Sequence, residues 1–156
     1  MRKILFITLL VFISNFAFAQ KTITTDCTEK YSCSQKYGLT PTKIDYKLKV
    51  KFDEKELNFN TNGTDEFSPY SAYSIAKKTE KYVIGKNKEG NYAFYNIAKK
   101  QFYYIDYYMK RYLTAGLGSE NVEIKQNTLK IMSILKKGNS QKDAVQFLIK
   151  QTEYDF

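Results

Sequence analysis

Ile44-Asp45-Tyr46-Lys47-Leu48-Lys49-Val50-Lys51-Phe52-Asp53 alternates apolar and charged residues without a slip. A period of two over this length is a strand with one buried and one wet face. Leu57 and Phe59 continue an apolar face after a break at Glu54 to Glu56, and Asn62-Gly63 is a turn signal because both residues accept positive φ.

Working outward, Lys81 to Ile84 reads as a strand, Gly85 to Gly90 as a polar turn and Asn91 to Ile97 as a second strand. Ala98-Lys99-Lys100 is a tight link to a third, Gln101 to Tyr108. Links this short leave no room for a crossover helix, so the pairing is antiparallel. Residues 64–80, with Pro69 and mixed Ser, Thr and Tyr, read as a loop holding a short strand.

After Gly116 and Gly118 the period changes. Ile124, Thr128, Ile131 and Leu135 form one helical stripe, and Gly138-Asn139 ends it. Ser140 with Asp143 has capping-box spacing for a second helix, whose face is Ala144, Phe147, Leu148 and Gln151. The expectation is an α+β fold: an antiparallel meander of about five or six strands over residues 44–112. A C-terminal αα-hairpin, residues 119–153, packs on it.

The first 19 residues have the layout of a secretory signal peptide. Arg2 and Lys3 precede an apolar run, and Ala17-Phe18-Ala19 supplies a cleavage site before Gln20. The run is shorter than the ~20 apolar residues that cross a bilayer. Export to the periplasm or medium is therefore expected, with no transmembrane segment left after cleavage and residues 20–156 forming one domain. In an oxidising compartment the two cysteines, Cys27 and Cys33, are expected to form a disulfide that pins residues 20–43.

The leader carries two of the 25 Lys and Arg and none of the 16 Asp and Glu, which leaves the remainder at +7. Outside the cytoplasm, a basic surface suits a protein or an anionic glycan more than nucleic acid. The chain has no histidine. That removes Ser–His and Cys–His pairs and almost every zinc or copper site, and the expectation is no metal and no cofactor. Ser74-Ile75-Ala76-Lys77 matches S-x-x-K, but the partner motifs that make it catalytic are absent. Asn58, Asn60, Asn62 and Gly63 resemble the opening of a calcium loop, yet position twelve is Pro69 where a bidentate Glu is required.

The densest feature is Phe102-Tyr103-Tyr104-Ile105-Asp106-Tyr107-Tyr108, apolar on both faces. Such a strand is covered on both sides or offers one side to a partner. Tyr103, Tyr104, Tyr107 and Tyr108, flanked by Lys99, Lys100, Lys110 and Arg111, are the candidate binding surface. The function expected is a non-enzymatic binding protein. The alternative is a small secreted hydrolase of glycosidase type, drawing two carboxylates from Asp53, Glu54, Glu56, Asp65 and Glu66.

Overall fold

The computed structural model describes residues 20–60, 66–67 and 72–154. The expected signal segment, the turn expected at Asn62-Gly63, Asp65 and Pro69 lie outside them. Eight strands run in chain order: β1 (Lys21–Ser34), β2 (Gly38–Phe52), β3 (Glu56–Asn60), β4 (Ala72–Lys78), β5 (Tyr82–Lys86), β6 (Tyr92–Asn96), β7 (Gln101–Tyr108) and β8 (Arg111–Gly118). Two helices follow, α1 (Asn121–Lys136) and α2 (Gln141–Tyr154).

Each strand pairs antiparallel with the next, and β1 pairs with β8, so the sheet is a closed up-and-down barrel. This corrects the expected meander of five or six strands. Closure rests on Lys30↔Leu117 through Ser34↔Leu113. The segment expected to be a pinned N-terminus is β1 with the start of β2, and the glycine-bearing stretch from Arg111 is β8.

Closure decides which face is core. Leu48, Val50, Phe52, Leu57, Val83, Ala93, Tyr95, Phe102 and Leu117 point inward and fill the lumen. Eight strands enclose a space that side chains can fill or that holds one small ligand. The outward faces of β5, β6 and β7 carry Tyr82, Ile84, Phe94, Tyr103 and Ile105, which pack against Ile124, Ile131, Leu135, Ala144 and Leu148 of the helices. The helical hairpin therefore lies on the outside of one wall. On the opposite wall the outward residues of β2, among them Lys47 and Lys51, alternate with the buried Leu48 and Val50. That is the reverse of a lipid-facing barrel, whose outer band is apolar. Among the described residues no helix is long and apolar enough to cross a membrane.

No disulfide forms: Cys27 and Cys33 are both free and buried. The register of β1 against β2 shifts between Cys27 and Glu29, a β-bulge. A bulge flips the facing of everything beyond it. Cys27 packs inside the lumen, whereas Cys33 lies outside, against Leu39, Leu129 and Met132. Six strand residues also separate their backbones by about 20 Å, far beyond disulfide reach.

Helix α2 starts on the capping box. Ser140 N–H donates to Asp143 Oδ2 at 2.7 Å, and Asp143 N–H donates to Ser140 Oγ at 3.3 Å. The Ser140 hydroxyl also donates to Asp143 Oδ2 at 2.8 Å, and the two bonds that this carboxylate accepts from Ser140 hold it below its ordinary pKa.

Candidate functional site at the barrel mouth

Counting strand directions from β1, the hairpin tips Gln35–Tyr37, Asn87–Asn91 and Met109–Lys110 share one end of the barrel. Cross-strand pairing of β1 with β8 places the β1–β2 tip beside the β7–β8 tip. Two bonds fasten them together: Gln35 N–H donates to the Tyr112 carbonyl at 3.4 Å, and Tyr112 N–H donates to Gln35 Oε1 at 3.2 Å.

Between the tips lies a cavity of about 850 Å³ lined by Ser32, Ser34, Gln35, Lys36, Tyr37, Gly38, Thr40, Tyr108, Met109, Arg111, Tyr112 and Leu113. Ser32 pairs with Thr40 across β1 and β2 and with Ala115 across β1 and β8, so these hydroxyls sit on the lumen side of the wall. The lining thus combines rings, Met109 and Leu113 with three small hydroxyls and two cations, and among the described residues it holds no carboxylate.

The turn that carries Met109 is built from non-glycine residues in the left-handed region, with φ 49° at Met109 and 60° at Lys110. A two-residue hairpin loop favours this geometry, but Asn and Gly ordinarily fill it. Strain held at two side-chain-bearing residues directs attention to what those side chains do. Both project out of the hairpin, and Met109 is 77% exposed.

Below the mouth the lumen carries polar groups. Lys30 Nζ lies 5.3 Å from the centroid of the Tyr104 ring, a cation–π contact. Tyr104 in turn stacks on Phe59 at 5.9 Å and 19°. Burial pushes the Asp106 carboxyl above its ordinary pKa, Lys30 opposes that shift, and Glu89 adds to it. Burial also raises the Tyr73 phenol, with the charge of Asp106 adding to the effect. A charged residue on the lumen side, above a floor of aromatic rings, is a feature that the local pattern around Lys30 does not mark. The bulge at Cys27/Glu29 is what turns Lys30 inward.

The eight residues expected to make one surface are dispersed. Tyr103 faces outward but is buried beneath α1, donating to Gln101 Oε1 and accepting from Asn127 Nδ2, each at 3.0 Å. Tyr104 faces the lumen. Tyr107 and Tyr108 reach the rim, 47% and 74% exposed, and the Tyr107 ring packs on Tyr112 at 4.7 Å. Lys110 and Arg111 accompany them. Lys99 and Lys100 lie in the β6–β7 turn at the other end, where Lys99 pairs with Glu123 at 2.8 Å. Closure of the sheet separates neighbours in sequence by face and by end; only Tyr107, Tyr108, Lys110 and Arg111 stay together.

The carboxylates considered for hydrolysis also part. Asp53 accepts from Lys55 N–H and Glu56 N–H at 2.7 and 2.8 Å in its own turn, which lowers its pKa. Glu54 pairs with Lys78. Glu66 lies beyond the far end of β3, next to Asn60, which donates to its carbonyl at 2.6 Å. Ser74 and Lys77 of the S-x-x-K match sit on an exposed part of β4. Among the described residues no group of His, Cys, Asp and Glu could hold a metal ion.

Fold and site together define a closed eight-stranded antiparallel barrel with a helical hairpin on one wall and an open mouth rimmed by tyrosines and cations. Comparison with protein-family models, curated proteins and solved structures found no match to this chain.

Proposed function

We propose that the chain is an exported, non-enzymatic binding protein that holds an amphipathic anion in the mouth of its barrel. The lining of the 850 Å³ cavity carries this reading: rings and aliphatic groups, three hydroxyls, Lys36 and Arg111, with no acidic side chain among the described residues. Small-ligand sites are of this size and this mix, with a few polar groups that fix orientation. Arg111 offers a fork of donors for a carboxylate, sulfonate or phosphate, and Lys36 a second point charge. Tyr108, Met109 and Leu113 suit the apolar body. An acidic oligosaccharide would use the same cations but would leave Met109 and Leu113 against polar hydroxyls. An acidic protein would meet the rim alone.

Residues 20–156 are tested with a fluorescent anilinonaphthalene sulfonate probe. Saturable binding at one site, displacement by dodecanoate and no displacement by dodecyltrimethylammonium are expected. Arg111→Gln weakens the anion by roughly tenfold or more, the worth of a charge-assisted hydrogen bond. Equal displacement by the cation, or by a heparin disaccharide in place of dodecanoate, would refute the assignment. Amino-terminal sequencing of the exported form is expected to begin at Gln20.

A further inference from the structure

The described residues include eight exposed large hydrophobic side chains, and five of them lie on the two cross-linked hairpin tips: Tyr37, Tyr107, Tyr108, Met109 and Leu113. Exposed apolar side chains gathered in one place mark an interaction surface, whereas scattered ones need no explanation. The tips carry no acid: Gln35 to Thr40 and Tyr107 to Leu113 contain Lys36, Lys110 and Arg111 and neither Asp nor Glu. Lys136 and Lys137, at the end of α1, border the same rim beside Gly38 and Leu39. Asp106 is turned toward the lumen on β7, and Glu89 belongs to the neighbouring β5–β6 turn.

From this placement we infer that the two tips dock on the surface of an anionic lipid bilayer, with the barrel mouth facing the membrane. Tyrosine is at home in the headgroup layer, where its ring is apolar on one side and its hydroxyl stays wet. Lysine and arginine stems lie along the apolar boundary while their charges reach phosphate. The left-handed Met109–Lys110 turn sends one apolar and one cationic side chain outward at the outermost point of the hairpin. The Gln35–Tyr112 bonds hold both tips as one unit before contact, so little ordering is required on docking. Charge selects the partner, since each cation near an anionic leaflet contributes a factor of roughly five.

The rim shares Lys36, Tyr37, Tyr108, Met109, Arg111 and Leu113 with the cavity of the ligand assignment, whereas Lys110 and Tyr107 do not line it, and so Lys110 separates the two readings. The test is co-sedimentation of residues 20–156 with vesicles of phosphatidylcholine alone or mixed with phosphatidylglycerol. Binding to the mixed vesicles and tenfold or weaker binding to pure phosphatidylcholine are expected. Lys110→Glu lowers partition by roughly 25-fold, two charge steps at that per-charge factor, and leaves displacement of the fluorescent probe unchanged. Met109→Cys carrying an environment-sensitive label brightens on the vesicles, and the same label at Lys55→Cys, at the opposite end, does not. Absence of binding to the mixed vesicles, or binding indifferent to Lys110→Glu, overturns the inference. So does a dimer that Lys110→Glu and Met109→Ser dissolve, which would assign the tips to a second copy of the chain.

Discussion

The Tyr103 hydroxyl accepts a hydrogen bond from Asn127 Nδ2 at 3.0 Å and so joins the barrel wall to the helix that covers it. The bond is one link of a chain that runs from the buried wall to a half-buried ion pair. Tyr103 donates to Gln101 Oε1, Gln101 Nε2 donates to Glu123 Oε2 at 3.0 Å, and Lys99 Nζ donates to Glu123 Oε1 at 2.8 Å. Tyr103→Phe leaves the Asn127 and Gln101 side chains short of a partner while keeping the ring. A loss of about 1–3 kcal/mol is expected, the penalty for an unsatisfied buried polar group. Tyr103→Ala should lose about 3–5 kcal/mol. Urea unfolding monitored by circular dichroism measures both, and a Tyr103→Phe variant as stable as the wild type would show that the hydroxyl contributes nothing.

Gly116 is demanded by close approach. A Cβ there would stand 2.6 Å from Thr128 Oγ1, 2.7 Å from Ile124 Cγ2 and 2.9 Å from Tyr103 Cδ1. At Gly118 the added atom would strike the Lys100 carbonyl, and φ is 137°. Gly116→Ala is expected to lose about 1–3 kcal/mol as side chains shift. Gly118→Ala should lose more, because backbone cannot step aside and the conformation disfavours any side chain. Thermal melts of the two variants should fall in that order.

Much of the helical layer was legible in the sequence, and the reason is local. Ile124, Thr128, Ile131 and Leu135 are all buried, because a 3.6-residue stripe records which side meets the sheet. Barrel closure leaves no such record. β1 is rich in Thr, Lys and Ser, its bulge breaks the alternation, and its pairing with β8 joins residues as far apart as Lys30 and Leu117. β8 hides a strand behind two glycines, Gly116 where α1 comes close and Gly118 where the Lys100 carbonyl does. The site divides in the same way. Tyr107, Tyr108, Lys110 and Arg111 stand out as a dense aromatic and basic cluster. Ser32, Ser34, Lys36, Tyr37 and Thr40 join them only through closure.

Both thiols are free and buried, and burial raises the pKa of each. A raised pKa and little access leave a thiol slow to react. The native protein is expected to resist a thiol-specific chromophore and to titrate both groups once unfolded in guanidinium. Reductant should leave the melting temperature unchanged. An intact mass short by two hydrogens would contradict the placement of the two side chains on opposite faces of β1.

Tyr31 donates to the Glu29 carboxylate, and that bond, with burial, lifts its pKa to about 12. A phenol whose folded pKa exceeds its unfolded value of about 10 stabilises the fold fully below pH 10. The contribution is lost as pH rises through about 12. Tyr73, Tyr95 and Tyr103 are raised too, chiefly by burial. Absorbance at 295 nm should therefore show a late group of tyrosines that ionise together with loss of the sheet signal. In Glu29→Gln the Tyr31 contribution to that late phase should move toward lower pH.

Asp106 supplies the opposite case for an acid. Its pKa is raised because burial disfavours the carboxylate more than Lys30 restores it, with Glu89 adding repulsion. The fold therefore favours the protonated group. Ionisation weakens the folded state: the penalty is absent below the ordinary carboxyl pKa near 3.9 and complete above the raised folded value. Asp106→Asn keeps the shape and removes the charge. Its melting temperature is expected to exceed that of the wild type at pH 7, and the gap should close as the pH falls toward 3. A variant less stable than wild type at pH 7 would show that the Lys30 attraction outweighs burial.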